Sequence, residues 1–303
     1  MPAIEGTVRA LRERGEWWQA APGLVGLRGD ALALYRRIER SVAAIAHEET
    51  EDDWLVPAAI PLETLARADY FASFPQWLTV ASHLTDDAHL LEQVASDADP
   101  ASAARSALAP AKAALSPAVC YHTYAALAGT TVGPERLMTA QGTCWRHEGE
   151  RLMPLERGWA FTMREIVCLG TPEATEAFRQ RGMRHAASLA AALGLDGDIV
   201  PATDPFFAPT ARGRALLQRV KALKHELLLP VTPQRGIAAA SFNHHETFFG
   251  TAFDIRLADG SPASTACVAF GIERWLLAVL AAHGPDARHW PMVAEAVASP
   301  AEV

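Results

Sequence analysis

Two short groups of charged residues have types and spacing suited to binding anions. The first is residues 144–148 (CWRHE), followed by a charged loop and a second strand-like run at 161–167 (FTMREIV). Alternation along a strand places Arg146 and Glu148 on one face, from which they can bind a phosphate and a neighbouring amino group. An exposed ion pair across a β-hairpin is the alternative for this group taken alone.

The second group is residues 265–275 (TACVAFGIERW), where a strand of small residues meets Gly271 and a helix follows. Arg274 stands in the first turn of that helix. A helix N-terminus and a guanidinium together favour an anion at this place. The alternative is a surface ion pair of Arg274 with Glu273 or with another carboxylate.

Two cysteines and one glutamate form a third candidate group. Cys120, Glu165 and Cys267 fall on three separate strand-like segments. Two thiolates and a carboxylate can bind zinc and leave its fourth position open, which is the arrangement of a catalytic zinc site. Isolated buried cysteines are common, so the spacing alone is also compatible with residues of the core.

These residues need a sheet to hold them, and the pattern along the chain predicts an α+β fold. We expect a helix over about 5–48, a buried strand over 55–62, a short helix over 62–69, and helix plus loop over 86–116. The predicted strands that follow are 118–124, 137–147, 159–169, 198–202, 226–231 and 236–243. The predicted helices there are 172–193, 212–225 and 271–282. Strands separated by hairpin-length gaps favour an antiparallel sheet.

Composition argues against several classes of function. The 303 residues include 27 Lys and Arg against 35 Asp and Glu, which gives a net charge of −8 and a pI near 5.8. An acidic balance argues against a nucleic-acid-binding surface. Four scattered cysteines do not form a disulfide framework and fit a reducing compartment. No signal peptide, membrane-spanning run or glycine-rich nucleotide loop is visible, so we expect a cytoplasmic protein.

The charged groups together resemble known motifs. Residues 146–148 and the following strand resemble motif 2 of class II aminoacyl-tRNA synthetases, and residues 271–274 (GIER) resemble motif 3. The chain resembles the catalytic core of atypical, archaeal-type seryl-tRNA synthetases, and over most of its length it resembles their short homologues without a tRNA-binding arm, the amino acid:[carrier protein] ligases. Six ordered blocks carry this resemblance: 117–122 (PAVCYH), 144–148, 161–167, 204–207 (DPFF), 241–245 (SFNHH) and 265–275.

The resemblance implies one catalytic domain over 1–303, with an antiparallel sheet flanked by helices, a helical N-terminal segment of about 1–50 and no tRNA-binding arm. The implied catalytic residues are Arg146, Glu148 and Arg274. The implied ATP-binding residues are these three with Arg157, Phe161, Ala239, Ala240 and Ser241, and Phe161 is the candidate to stack on adenine. The implied zinc ligands are Cys120, Glu165 and Cys267.

Other residues receive weaker assignments. Asp204 is a candidate for the amino-acid pocket, with an Asp-Pro turn as the alternative. His122 would share a strand face with Cys120, as a ligand or in packing. At most one of His244 and His245 is expected to face the site. Cys144 and Cys168 match no ligand position and are expected in the core.

The implied reaction has two steps. ATP and Mg²⁺ activate a small amino acid, glycine or alanine, as an aminoacyl-adenylate, with zinc holding the amino group. The aminoacyl group then passes to the phosphopantetheine thiol of a carrier protein. A homodimer is expected through residues 60–125, where Tyr70, Phe71, Phe74 and Trp77 are expected to form an apolar surface. An arginine patch at Arg212, Arg214 and Arg219 is the candidate docking surface for the acidic carrier.

One departure from the family pattern leaves alternatives open. Class II synthetases commonly have a magnesium-binding glutamate on the strand before motif 3, whereas residues 236–241 (GIAAAS) contain no carboxylate. A catalytically degenerate paralogue that acts as a binding or regulatory subunit is therefore one alternative. A ligase that passes the aminoacyl group to an acceptor other than a carrier protein is another.

Overall fold

A computed structural model describes residues 4–207 and 212–291, without the side chains of Arg212 and Arg214. The strands are Trp17–Ala21 (β1), Leu24–Leu27 (β2), Asp53–Leu55 (β3), Ala59–Pro61 (β4), Val80–Ala81 (β5), Ala113–Leu115 (β6), Glu135–Trp145 (β7), Ala160–Gly170 (β8), Asp198–Pro201 (β9), Lys224–Thr232 (β10), Arg235–His244 (β11) and Ser264–Gly271 (β12). The helices are Ile4–Glu13 (α1), Gly29–Glu49 (α2), Leu62–Arg67 (α3), Tyr70–Ser73 (α4), Ala88–Ser96 (α5), Pro100–Ser106 (α6), Cys120–Ala126 (α7), Pro172–Ala192 (α8), Arg212–Val220 (α9), Phe248–Phe253 (α10) and Ile272–His283 (α11).

The main sheet has seven strands in the order β3-β7-β8-β12-β11-β10-β9. All neighbouring pairs are antiparallel except β3 with β7, which is parallel. The hairpin predicted around the first charged group is the β7–β8 pair, which runs in register from Glu135 opposite Gly170 to Trp145 opposite Ala160. A small three-stranded sheet, β4-β6-β5, and the β1–β2 hairpin lie outside the main sheet.

Helices α2, α8 and α11 cover one face of the main sheet. The predicted start of α8 is confirmed, because the Thr171 hydroxyl accepts the Ala174 N–H at 3.2 Å and Pro172 occupies the first turn. Apolar side chains of the three helices, such as Ile38 and Phe178, form one core with the residues of β8, β10, β11 and β12 that face the helices. None of the described helices has the length and apolar composition needed to cross a membrane. The other sheet face remains available for a cavity.

The prediction of one continuous helix over residues 5–48 is wrong, because a β-hairpin separates two helices there. The segment consists of α1, the β1–β2 hairpin and α2. Gly15, Gly23 and Gly29 have φ of 66°, 74° and 61°, a conformation that interrupts a helix. A side chain at Gly23 would meet the Trp159 backbone nitrogen at 2.5 Å, so this turn also fits closely against the segment before β8.

Two further boundaries differ from the prediction. The expected buried strand over 55–62 is replaced by the end of β3 and by β4, and Leu55, the last residue of β3, is 98% exposed. The expected helix over 212–225 ends at Val220, and the chain reverses to begin β10 at Lys224. Lys224 therefore lies on a strand of the sheet.

Arg164 and Glu165 project from β8 to opposite faces of the sheet. The Arg164 guanidinium lies 3.3 Å from Asp53 of β3 and 3.7 Å from Glu39 of α2, and its Nε donates to Gln141 of β7. This buried arginine ties the edge strand and the first long helix to the centre of the sheet. Glu165 points to the cavity side.

Candidate active site

A cavity of about 640 Å³ lies over the sheet face that α8 and α11 leave uncovered. It is lined by residues from four adjacent strands, the β7–β8 loop, α4, α7 and the start of α11. Nearly all predicted site residues line it: Cys120, Arg146, Glu148, Arg157, Phe161, Glu165, Asp204, Ala239, Ala240, Ser241, Cys267 and Arg274. Cys120 and Arg274, 154 positions apart in the sequence, thus line the same cavity.

The structure brings together the three candidate metal ligands. Cys120, Glu165 and Cys267 each offer a ligand atom, and these atoms lie within 4.8 Å of one another. All three residues are buried, with Glu165 only 1% exposed. Two sulfurs and one carboxylate oxygen at this separation fit a zinc ion with one position left for a substrate.

Cys120 reaches this cluster from helix α7 and not from the predicted strand. In the run 118–126 (AVCYHTYAA), the buried residues Cys120, Tyr121 and Tyr124 recur at helical spacing. His122 therefore does not share a face with Cys120. Its Nε2 lies 3.1 Å from the Ser116 hydroxyl, and His122 is a packing residue outside the cavity.

Hydrogen bonding, burial and neighbouring charge shift the pKa values of the three cluster residues. The hydrogen bond between the two thiols lowers the pKa of Cys267 and raises that of Cys120, and burial adds to the second effect. Burial, followed by the charge of Cys267, raises the pKa of Glu165 to about 8. Of the two thiols, Cys267 is therefore the one that ionises more readily. A divalent cation would favour ionisation of all three groups.

Both tandem histidines line the cavity, whereas at most one was expected to face it, and only His245 contacts the metal cluster. His245 Nε2 lies 3.9 Å from the Cys267 sulfur, and its Nδ1 lies 3.2 Å from the Thr265 hydroxyl. His244 Nε2 lies 3.0 Å from the Thr175 hydroxyl on α8. Cys144 and Cys168 are fully buried free thiols that do not line the cavity, as predicted for core residues.

Arg146 and Glu148 face the other end of the cavity, although they follow β7 and do not lie on it. Arg146 donates from Nε to the Pro117 carbonyl at 2.9 Å. Its guanidinium carbon lies 5.5 Å from the ring centroids of both Trp77 and Phe161. The alternative of an ion pair across the hairpin holds in part, because Glu148 pairs with Arg157 at 2.6 Å, whereas no ion pair of Arg146 is found within the described residues. The guanidinium is thus held by one carbonyl and two aromatic rings, which leave its terminal nitrogens available.

Arg274 is anchored at the start of α11. It donates from Nε to the Glu156 carbonyl at 2.8 Å and from Nη1 to the Ala238 carbonyl at 2.9 Å. Among the described residues it forms no ion pair with Glu273, whose carboxylate instead accepts the Thr162 N–H. Burial raises the pKa of Glu273 to about 7. Arg274 therefore retains Nη2 and its charge for an anion in the cavity.

The sequence analysis missed two charged residues on β10. Lys224 donates to Asp204 at 2.5 Å and lies 3.0 Å from a Glu226 oxygen. Burial opposes the charge of Lys224, but the charges of Asp204 and Glu226 outweigh it and raise its pKa. The carboxylate absent from 236–241 is thus present on the adjacent strand, since Glu226 lies opposite Ser241. The Lys-x-Glu alternation of a strand was the available signal.

Asp204 faces the cavity, so its role in an amino-acid pocket stays a prediction, and the turn at this residue is made by its backbone carbonyl and not by its carboxylate. The Phe206 N–H donates to this carbonyl at 2.9 Å. The carboxylate also accepts the Gln218 side-chain amide at 2.8 Å. The charge of Lys224 and these hydrogen bonds lower its pKa, although burial acts in the opposite direction.

The apolar residues expected at a dimer interface mostly line the cavity instead. Tyr70 is 3% exposed, and Phe74 stacks between Trp77 and Phe206 at centroid distances of 5.4 and 5.1 Å. Only Phe71 of the four predicted residues is largely exposed. Three of the four residues therefore contribute little to the outer surface, and the dimer interface stays a prediction.

Of the predicted arginine patch, Arg219 is exposed on α9, whereas the side chains of Arg212 and Arg214 lie outside the described residues. Leu216 and Val220 on the same helix are 61% and 74% exposed. The helix thus presents apolar and basic groups together.

Comparison with known proteins identifies the relatives of this site. No family model matches the chain. Amino acid–[acyl-carrier-protein] ligase 1 of Bradyrhizobium diazoefficiens is 36% identical over 265 residues, covering 86% of this chain and 81% of that protein. Ligase 2 of the same organism is 35% identical over 278 residues, covering 90% and 81%. The type-2 serine–tRNA ligase of Methanopyrus kandleri is 27% identical over 311 residues, and the match covers 94% of this chain and 57% of that ligase.

Solved structures agree on the fold. The seryl-tRNA synthetase of M. kandleri, solved with the tRNASec of A. aeolicus, has a TM-score of 0.84 at 23% identity, covering 94% of this chain and 58% of that one. Prolyl-tRNA synthetase of Giardia lamblia, solved with prolyl-adenylate, has a TM-score of 0.70 at 13% identity, covering 92% and 52%. These likenesses confirm the predicted α+β fold of a class II synthetase core. With two relatives above one-third identity, the chain is a ligase of the amino acid–[acyl-carrier-protein] ligase family.

Proposed function

We propose that the protein activates glycine or alanine with ATP and transfers the aminoacyl group to the phosphopantetheine thiol of a carrier protein. One observation carries this proposal: a thiolate–carboxylate metal cluster and two anchored arginines face the same cavity. The family supports the carrier as acceptor, because both relatives are named for acyl-carrier-protein ligation.

The metal end would bind the amino group of the substrate. Cys120, Glu165 and Cys267 form a donor set typical of zinc with an open coordination position. When bound, zinc would act there as a Lewis acid that accepts the neutral amine. Such a site selects amino acids over plain carboxylic acids.

The arginine end would bind ATP. Arg146 and Arg274, held by backbone carbonyls, would contact the phosphates, and Phe161 beside Arg146 would stack on adenine. Residues 239–241 would line the nucleotide and Arg157 would lie at its edge. Fixed guanidinium groups stabilise charge that develops during adenylyl transfer without reorganising. Glu148 and Glu226 are the carboxylates available to hold Mg²⁺ with the phosphates.

The acceptor would dock outside this cavity. A chain with net charge −8 has little long-range attraction for tRNA, so we infer that tRNA is not the acceptor. We assign docking of the acidic carrier to α9, where Arg219 and exposed leucines lie.

We further propose a single domain without a tRNA-binding arm, a homodimer, and a cytoplasmic location that suits four free cysteines. Light scattering of the purified protein tests the dimer.

The deciding experiment is pyrophosphate exchange across the twenty amino acids, with acetate and propionate as matched acids that lack the amine. We expect exchange with glycine or alanine and none with the plain acids. Absence of exchange with every amino acid in zinc-loaded protein would favour the degenerate paralogue. Holo and apo carrier proteins are then compared by mass: a gain of one aminoacyl residue only on the holo form supports thioester transfer. Exchange without that gain indicates another acceptor.

A further inference from the structure

Asn243 lies between the metal end and the nucleotide end of the cavity. It is on β11 directly opposite Cys267 of β12, and it shares its strand face with Ser241. Its Nδ2 donates to the Cys267 sulfur at 3.4 Å and to the Ser241 hydroxyl at 3.2 Å. Both hydrogens of the side-chain amide are therefore in use.

The orientation of this amide follows from the chemistry of its partner. A cysteine that binds a metal has no S–H to donate, so the amide nitrogen, which lies 3.4 Å from the Cys267 sulfur, is the side-chain atom that must face it in the metal-bound site. Within residues 4–207 and 212–291, Asn243 Oδ1 accepts no hydrogen bond. The half-buried residue lines the cavity. Its oxygen is thus an available acceptor beside the metal cluster.

A primary amine has the hydrogens that such an acceptor needs. An amine that gives its lone pair to a metal retains its N–H groups, and in a buried site each N–H requires an acceptor. Lys224, opposite Asn243 on β10, supplies only donors. His245 also contacts the sulfur, but its second ring nitrogen is already hydrogen-bonded to the Thr265 hydroxyl, whereas Asn243 Oδ1 has no partner within the described residues.

We propose that Asn243 is a substrate-binding residue for the amino group. Its Nδ2 holds the sulfur of Cys267, while its Oδ1 accepts an N–H from the substrate amine at the metal. The inference rests on the proposed function and deepens it, because it assigns recognition of a primary amine to a residue that is not a metal ligand. A plain carboxylic acid would leave Oδ1 unpaired.

The sequence makes a direct test possible, because Asn243 is the only asparagine among the 303 residues. Full-length protein labelled with ¹⁵N-asparagine gives one side-chain amide signal pair. We expect zinc added to metal-free protein to shift this pair, and the shift to disappear in Cys267→Ala. Glycine added to the zinc form should shift it again, whereas acetate at the same concentration should not.

The outcomes separate this inference from the proposed function. If zinc does not bind the wild-type protein, the metal assignment fails and the inference fails with it. If zinc binds without moving the amide signals, or if glycine and acetate act alike, the role of Asn243 is wrong while the zinc site stands.

A pair of variants provides a second readout. In Asn243→Ala we expect retained zinc, a KM for the amino acid raised about tenfold and an unchanged KM for ATP, as for loss of one hydrogen bond to the substrate. The matched variant Gln141→Ala removes a side-chain amide from the same sheet outside the cavity and should change neither KM. Equal KM values in Asn243→Ala and wild type would overturn the assignment.

Discussion

The two ends of the cavity are built from different kinds of backbone. Cys120, Glu165 and Cys267 come from a helix and two central strands and are almost fully buried. Arg146, Glu148 and Arg157 follow β7 in the connection to β8, where the Arg157 side chain is 38% exposed. The metal end is rigid and has an excess of negative groups. The nucleotide end has three arginines, Arg146, Arg157 and Arg274, of which Arg157 is paired with Glu148. Each end therefore lacks a ligand of the opposite charge.

The largest effect is expected at the rigid end. Cys267→Ala removes one of three ligands, and we expect loss of zinc together with loss of amino-acid-dependent pyrophosphate exchange. Metal content and exchange are measured on the same preparation. Cys168→Ala is the matched control, since that buried thiol lies outside the cavity, and it should keep both. Exchange retained by zinc-free Cys267→Ala would break the comparison.

At the nucleotide end, Arg146→Ala should lower kcat/KM for exchange by about 10²–10³-fold, because it removes a positioned donor for the transferring phosphate. Arg146→Lys should recover little of this activity, since an ammonium lacks the planar group that lies between Trp77 and Phe161. Zinc content should not change. Arg136→Lys, on a surface pair with Asp52, serves as the control.

A smaller effect is expected at Arg157. The pair with Glu148 is partly exposed, so its removal costs little stability. Arg157→Ala should raise the KM for ATP up to about fivefold and leave the KM for the amino acid unchanged. A change in the amino-acid KM alone would show that the two ends are not separate.

The pH dependence of the free energy of unfolding tests the effect of burial on Glu273, which lies at the nucleotide end of the cavity. Burial raises its pKa from 4.5 to about 7. In that pH range the folded protein holds a proton that the unfolded chain has released. The contribution of this group is thus present below the lower value and lost as pH rises through the higher one. We expect Glu273→Gln to remove a decline on the order of 3 kcal/mol between about pH 5 and pH 8 in urea unfolding. Parallel pH profiles of the two proteins would contradict this.

The predictable parts of the fold are those whose signal is local. The strand-like runs at 137–147 and 159–169 and the Thr171–Pro172 helix start correctly predict β7, β8 and α8. Helix α7 was not predicted, because its short buried run is compatible with a strand until the surrounding core decides between them. The β1–β2 hairpin was missed because three glycine turns carry no periodic signal.

The same division applies to the site. Cys120, Glu165, Cys267 and the arginines were named from motifs, and the structure brings them to one cavity. Lys224 and Glu226 belong to no motif, and their position depends on the pairing of β10 with β11. Tertiary pairing of this kind has no counterpart in the local sequence.

The opposite placement of Arg164 and Glu165 has a consequence for folding accuracy. A slip of β8 by one residue would exchange the two faces of the strand. Arginine would then enter the cluster of Cys120 and Cys267, and a carboxylate would face Asp53 and Glu39. The misaligned chain would bury a cation where a metal should bind and gather like charges on the other face. Both penalties disfavour the one-residue register shift, so charge as well as packing specifies the register of β8.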